Sequence, residues 1–274
     1  MNSAPPATPR DCIGVFDSGV GGLSVLAALH ERLPGTPLRY VADSAHAPYG
    51  ERSDAFIVER SRCIAAHLVE QGARGLVVAC NTATAAAVQA LRAQYGTLPI
   101  VGVEPGLKPA AALTRVRRVG VLATPSTLAS ERFAALLRAQ PPEVRFVTRA
   151  CPGLAALIEE GDLDAPALRV AVDEHTAPLR AAGVDTVVLG CTHYRFVRHL
   201  VEAALGRGVH VVDTADAVAR HAASRFASFV RNDRPASPVR LQTTGDAARL
   251  QRIAAAWLPF ACSVDALPAT RPAA

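Results

Sequence analysis

Short apolar runs alternate with helix-length amphipathic segments along nearly the whole chain, and this alternation restricts the fold more than any other feature. Runs rich in Val, Ile and Leu occupy residues 13–16, 38–41, 76–79, 100–103, 119–122, 144–147, 187–189, 210–212 and 239–242. Runs this short, bounded by Gly, Pro and Asn, suit buried strands. Between them, apolar residues recur at helical spacing in 23–32, 54–70, 84–94, 128–139, 167–181, 197–204, 217–229 and 247–257. Strand–helix–strand units of this kind build parallel sheets, because a parallel neighbour is reached only through a crossover. The expectation is an α/β protein of two similar doubly wound domains with mainly parallel sheets.

Two domains are expected for two reasons. A chain of 274 residues is longer than the ~100–150 residues of a common domain. It also carries a faint internal repeat. IGVFDS at 13–18 is echoed by VGVLAT at 119–124. Gly72 stands eight residues before Cys80, as Gly183 does before Cys191, and each cysteine closes an apolar strand. The expected division is a flexible tail at 1–11, a discontinuous first domain of 12–105 with 215–274, and a second domain of 106–214. Residues 103–109 link the two.

Charge and composition narrow the function classes. Lys and Arg number 29 against 24 Asp and Glu, a net +5 spread along the chain rather than gathered into a stripe. Nucleic-acid binding usually needs such a stripe, so it is not expected; small acidic ligands suit the surface as well. No apolar stretch is long enough to span a membrane, and residues 1–10 lack the layout of a secretory signal. A cytoplasmic protein is expected. The six cysteines, Cys12, Cys63, Cys80, Cys151, Cys191 and Cys262, form no C-x-x-C pair, which speaks against a disulfide framework or structural zinc.

The chemistry-bearing residues gather at strand ends. Cys80 follows a buried strand and precedes a helix, the place where open α/β sheets bind ligands. Free N–H groups at a helix start favour a thiolate, so a lowered Cys80 pKa is expected. A strand-end cysteine that stands alone is more often a packing residue. Cys191 repeats the placement, with His193 two residues on to share its proton. Asp17 and Ser18 end the first strand before a glycine-rich turn that is neither a dinucleotide fingerprint nor a phosphate-binding P-loop. Pro48, Tyr49 and Gly50 form a turn whose N–H groups suit a carboxylate, or a plain surface turn. Cys12, Cys63 and Cys262 read as packing residues. The histidines other than His193 show no metal spacing, and no metal site is expected.

Two thiols in matched settings suit one reaction in particular. Inverting a stereocentre by proton exchange needs a base on one face of the carbon and an acid on the other. A pyridoxal route needs a Schiff-base lysine, and the sole lysine, Lys108, lies in the proline-flanked linker.

Residues 17–24 (DSGVGGLS), 48–50 (PYG), 79–83 (ACNTA) and 189–194 (LGCTHY) together resemble the signature motifs of the cofactor-independent glutamate racemases, within the aspartate/glutamate racemase family. Weaker matches lie at 104–106, 151–159, 212–214 and 243–246. The resemblance implies two α/β domains with the site in the cleft between them, a homodimer, and no cofactor. It implies interconversion of L- and D-glutamate, supplying D-glutamate for peptidoglycan. Cys80 and Cys191 match the proton donor/acceptors, for D- and L-glutamate respectively. Asp17, Glu159 and His193 match the residues that assist them. Asp17, Ser18, Pro48, Tyr49, Gly50, Asn81, Thr82, Thr192 and His193 match substrate contacts. Two departures stand out. Arg195 replaces the proline usual after Tyr194, and residues 153–157 replace a bulkier run, which loosens the alignment of Glu159. Racemisation of aspartate or another amino acid, a non-catalytic amino-acid-binding protein of this fold, and a thiol redox protein are the alternatives.

Overall fold

The computed structural model describes residues 11–230 and 239–267, so residues 1–10 of the expected tail lie outside the described residues. The chain first runs β1 (Cys12–Asp17), α1 (Leu23–Arg32), β2 (Leu38–Ala42), α2 (Asp54–Glu70), β3 (Ala73–Val78), α3 (Asn81–Tyr95) and β4 (Ile100–Gly102). It continues through α4 (Leu107–Leu113), β5 (Arg118–Ala123), α5 (Pro125–Ala129), α6 (Glu131–Arg138), β6 (Arg145–Ala150), α7 (Leu154–Glu159), α8 (Pro166–Ala181), β7 (Thr186–Leu189), α9 (Arg198–Leu205) and β8 (His210–Val212). It ends with α10 (Ala215–Arg225), β9 (Val239–Thr243), α11 (Ala247–Trp257) and β10 (Cys262–Ala266).

These strands form two sheets, ordered β10-β9-β2-β1-β3-β4 and β6-β5-β7-β8, with every neighbouring pair parallel. The strands after residue 214 therefore complete the sheet begun by β1. Alternation along each strand explains the layers. Ile13 and Val15 of β1 join one apolar cluster, whereas Cys12 and Phe16 join the cluster on the opposite face. In the second sheet, Leu122 and Leu189 pack on one side while Val121 and Val188 pack on the other. Strands buried on both faces read as continuous apolar runs, which is why they were legible in sequence.

Three elements differ from expectation. Strand β10 carries only Val264 among its larger apolar residues and lies at the sheet edge half exposed, so its period is weak. The helix expected over 128–139 is two, because the Ser130 hydroxyl caps α6 by accepting the Phe133 N–H at 3.1 Å. The linker expected over 103–109 is helical from Leu107, so Lys108 lies in the first turn of α4.

Candidate active site

Three strand ends converge. Asp17 closes β1, Cys80 follows β3, and Cys191 follows β7, with Asp17 and the two thiols buried. Ala79 N–H donates to the Phe16 carbonyl at 2.7 Å and Gly190 N–H to the Leu122 carbonyl at 2.7 Å, so each thiol emerges just past the last ladder bond of its sheet.

Cys80 is the N-cap of α3, and its Sγ accepts the Ala83 N–H at 3.4 Å. Its Sγ also lies 3.9 Å from Ser18 Oγ. The expected lowering of its pKa is not found. Burial raises the Cys80 thiol well above its usual range, the Asp17 carboxylate raises it further, and Cys191 adds to the rise. One helix-start N–H does not offset the loss of solvent around a sulfur anion beside a carboxylate.

Asp17 is itself fully buried. Its Oδ2 accepts the Gly22 N–H at 2.8 Å, while its Oδ1 has no partner. Burial raises its carboxyl pKa, against the pull of His193.

On the second sheet's side, His193 Nδ1 lies 3.5 Å from Cys191 Sγ and its Nε2 lies 2.5 Å from Glu159 Oε1. Burial opposes a charge on this ring. The Cys191 sulfur and the Glu159 carboxylate outweigh burial and hold the His193 pKa well above the usual histidine range. Glu159 also accepts the Val20 N–H at 2.7 Å. The glycine turn makes this approach possible. A Cβ on Gly19 would sit 1.9 Å from Glu159 Oε1, and one on Gly21 would sit 2.3 Å from His193 Nδ1.

The other expected residues fall into two groups. Asn81 Oδ1 and Thr192 Oγ1 are buried without hydrogen-bond partners. Both residues border a cavity of about 10 Å³ that also touches Cys191. Thr82 Oγ1 instead meets Thr124 Oγ1 at 3.0 Å, bridging the first body to the second. Tyr49 is buried with its hydroxyl donated to Asp43 Oδ2 at 2.6 Å, so its phenol is committed within the protein. Gly50, after Pro48 and Tyr49, presents its carbonyl to the Ser126 hydroxyl at 2.6 Å.

Sequence reasoning passed over Asp43. This carboxylate accepts Arg60 Nε and Nη2, each at 2.9 Å, the Tyr49 hydroxyl, and Thr244 Oγ1 at 2.8 Å. The signal was available, since Asp43 directly follows β2 as Asp17 closes β1. Volume alone does not point to the cysteines. A cavity of about 850 Å³ lies along 104–109, α6 and α10 and includes none of them. Lys108, exposed, borders that cavity and not the thiols. Among the described residues no group of three His, Cys, Asp or Glu is arranged to hold a metal ion, and no helix is long and apolar enough to cross a membrane.

The fold and this cluster define a class: doubly wound α/β proteins that bring one buried strand-end cysteine from each of two sheets to a shared polar site. Residues 13–222 match the family described as Asp/Glu/hydantoin racemase, and the chain belongs to that family. It is 50% identical over 242 residues to the glutamate racemase of Ectopseudomonas mendocina, covering 88% of this chain and 92% of that one. A solved glutamate racemase of Escherichia coli, in complex with L-glutamate and the activator UDP-MurNAc-Ala, superposes with a TM-score of 0.85 at 32% identity, covering 95% and 99% of the two chains. A glutamate racemase isoform of Bacillus anthracis gives the same TM-score at 31% identity, covering 95% and 98%.

Proposed function

We propose that this chain interconverts L- and D-glutamate, using Cys80 and Cys191 as the two proton carriers and no cofactor. The observation that carries the reading is the unequal setting of the two thiols. Without substrate, burial and the Asp17 carboxylate raise the Cys80 thiol and so favour its neutral form. On the other side His193, held by Glu159, stands 3.5 Å from Cys191 Sγ, within reach to exchange its proton with that sulfur. One thiolate and one thiol are the starting state that a two-base inversion requires.

With L-glutamate bound, the Cys191 thiolate takes the α-proton and the Cys80 thiol returns one to the opposite face. With D-glutamate the roles reverse. The open oxygen of Asp17 suits the substrate ammonium, whose charge also favours the adjacent thiolate. Asn81, Thr192 and the N–H groups at the start of α3 suit the carboxylate, where charge develops as the proton leaves. Ser18 and the turn at Pro48, Tyr49 and Gly50 complete the wall, the Tyr49 phenol acting through Asp43. We assign the product to peptidoglycan precursors and the working form to a cytoplasmic homodimer of two-domain subunits, divided at 105/106 and 214/215. The return of α10, β9 and β10 to the body of β1 supports the division at 214/215.

The test is L-glutamate in D₂O with no added cofactor. Deuterium should enter at the α-carbon as optical rotation decays. Cys80→Ala and Cys191→Ala should each abolish racemisation. Racemisation by both variants would refute the mechanism, and faster turnover of aspartate would reassign the substrate.

A further inference from the structure

The turn that carries Cys191 and His193 is a single 3-10 turn, Thr192–Arg195, with no side chain capping its start. Its far end is tied down. Arg195 Nη1 pairs with Asp213 Oδ1. Asp213 follows directly on β8, where the chain leaves the four-stranded sheet. The same Oδ1 accepts the N–H of Ala215, the first residue of α10, at 3.2 Å. Helix α10 belongs to the other body, since Ala215, Val218, Ala219 and Ala222 pack in the cluster that holds Ile13 and Val15 of β1. Asp213 is therefore fixed at the crossing between the two sheets, and Arg195 hooks the Cys191 turn onto it.

Two further observations bear on function rather than folding alone. Arg195, Asp213, Thr214 and Ala215 border the same small cavity as Asn81, Cys191 and Thr192, so the ion pair is part of the wall beside the thiol. Asp213 is also not dependent on Arg195 for a partner. Arg198 Nη1 binds its Oδ2 at 2.9 Å, so removing Arg195 leaves no buried charge unpaired. Only the link made within the turn itself is lost, while Arg198 keeps the start of α9 joined to Asp213.

We infer that Arg195 is a positioning residue for the Cys191 half of the site, acting through Asp213 to hold the Cys191–His193 turn in register with the crossing to the Cys80 half. The inference rests on the two-thiol reading above. A misplacement of a reacting group by about 1 Å costs up to ~10²-fold in rate. Arg195→Gln should lower kcat about tenfold in both directions with KM within about twofold, and leave the thermal midpoint within about 3 °C of the parent. Arg195→Lys reaches the same carboxylate with a point charge and should recover most of the loss.

The decisive readout is the primary isotope effect on kcat/KM for α-deuterated substrate. Slowing proton transfer at Cys191 makes removal of the α-proton from L-glutamate more rate-limiting, so that isotope effect should rise. For D-glutamate the slowed step is reprotonation, so its isotope effect should fall. Isotope effects that move together, an unchanged kcat, or a loss that Lys does not recover would overturn the inference. Cys80→Ala and Cys191→Ala run beside it. If both racemise, the two-thiol reading falls and takes this inference with it. If both are inert and Arg195→Gln is unaffected, only the inference falls.

Discussion

Glu159 Oε1 lies 2.5 Å from His193 Nε2 and accepts the Val20 N–H at 2.7 Å, so one carboxylate oxygen fastens the imidazole beside Cys191 to the glycine turn after β1. The two bodies thus share a hydrogen-bonded part, with Glu159 and His193 from one and the glycine turn from the other.

Replacing that carboxylate tests the link. In Glu159→Gln the imidazolium loses its counter-charge, so the His193 pKa falls toward its ordinary range. A raised histidine pKa means the cation is present at low pH and discharges as pH rises through it. The alkaline limb of the kcat/KM profile should therefore move to lower pH, with kcat at pH 8 reduced about 10²-fold. An unmoved limb would remove Glu159 from the assisting group.

Gly19 and Gly21 are needed for space, since neither has a positive φ. In Gly19→Ala the new methyl displaces the Glu159 carboxylate, and in Gly21→Ala it displaces the His193 ring. Side chains can yield where backbone cannot, so folding stability should change by only about 1 kcal/mol. Activity should drop about 10²-fold, because the displaced groups are the ones that hold the proton chain. Urea denaturation and steady-state kinetics measured on the same preparations separate the two effects.

Asp17→Asn removes a charge that raises the Cys80 thiol. The Cys80 pKa should fall, though burial keeps it above the ordinary thiol range. Alkylation of Cys80, followed by peptide mass against pH, should show its midpoint displaced to lower pH. Racemisation should be lost nonetheless, because the ammonium partner is gone.

Asp43→Asn tests the hub under the Pro48–Gly50 turn. Burial works against this carboxylate, but Arg60 and Tyr49 outweigh it and lower its pKa. A lowered folded pKa gives stability that is present above the unfolded value of ~3.9 and is lost as pH falls through the folded one. The parent should thus lose stability on acidification below about pH 4, whereas the variant should show a flatter acid limb. Near neutral pH the variant should be weaker by about 1–3 kcal/mol, because an amide at this position accepts fewer of the hydrogen bonds that the Asp43 carboxylate takes. Denaturant titrations across pH measure both.

The sequence by itself determined the elements and the placement of the chemistry. Val, Ile and Leu runs buried on both faces identify the central strands, and a residue that closes such a strand, as Asp17, Cys80 and Cys191 do, must lie at the ligand-binding edge of a parallel sheet. Local periodicity carries that information. It does not carry the edge strand β10 or the break at Ser130, where exposure weakens the pattern. Nor does it carry the meeting of Glu159 with Val20 and His193, the gathering of Tyr49, Arg60 and Thr244 at Asp43 from three separated segments, or the direction of the Cys80 pKa. Those depend on contacts between residues far apart in the chain and on the exclusion of water around them, and only the packed structure brings either into being.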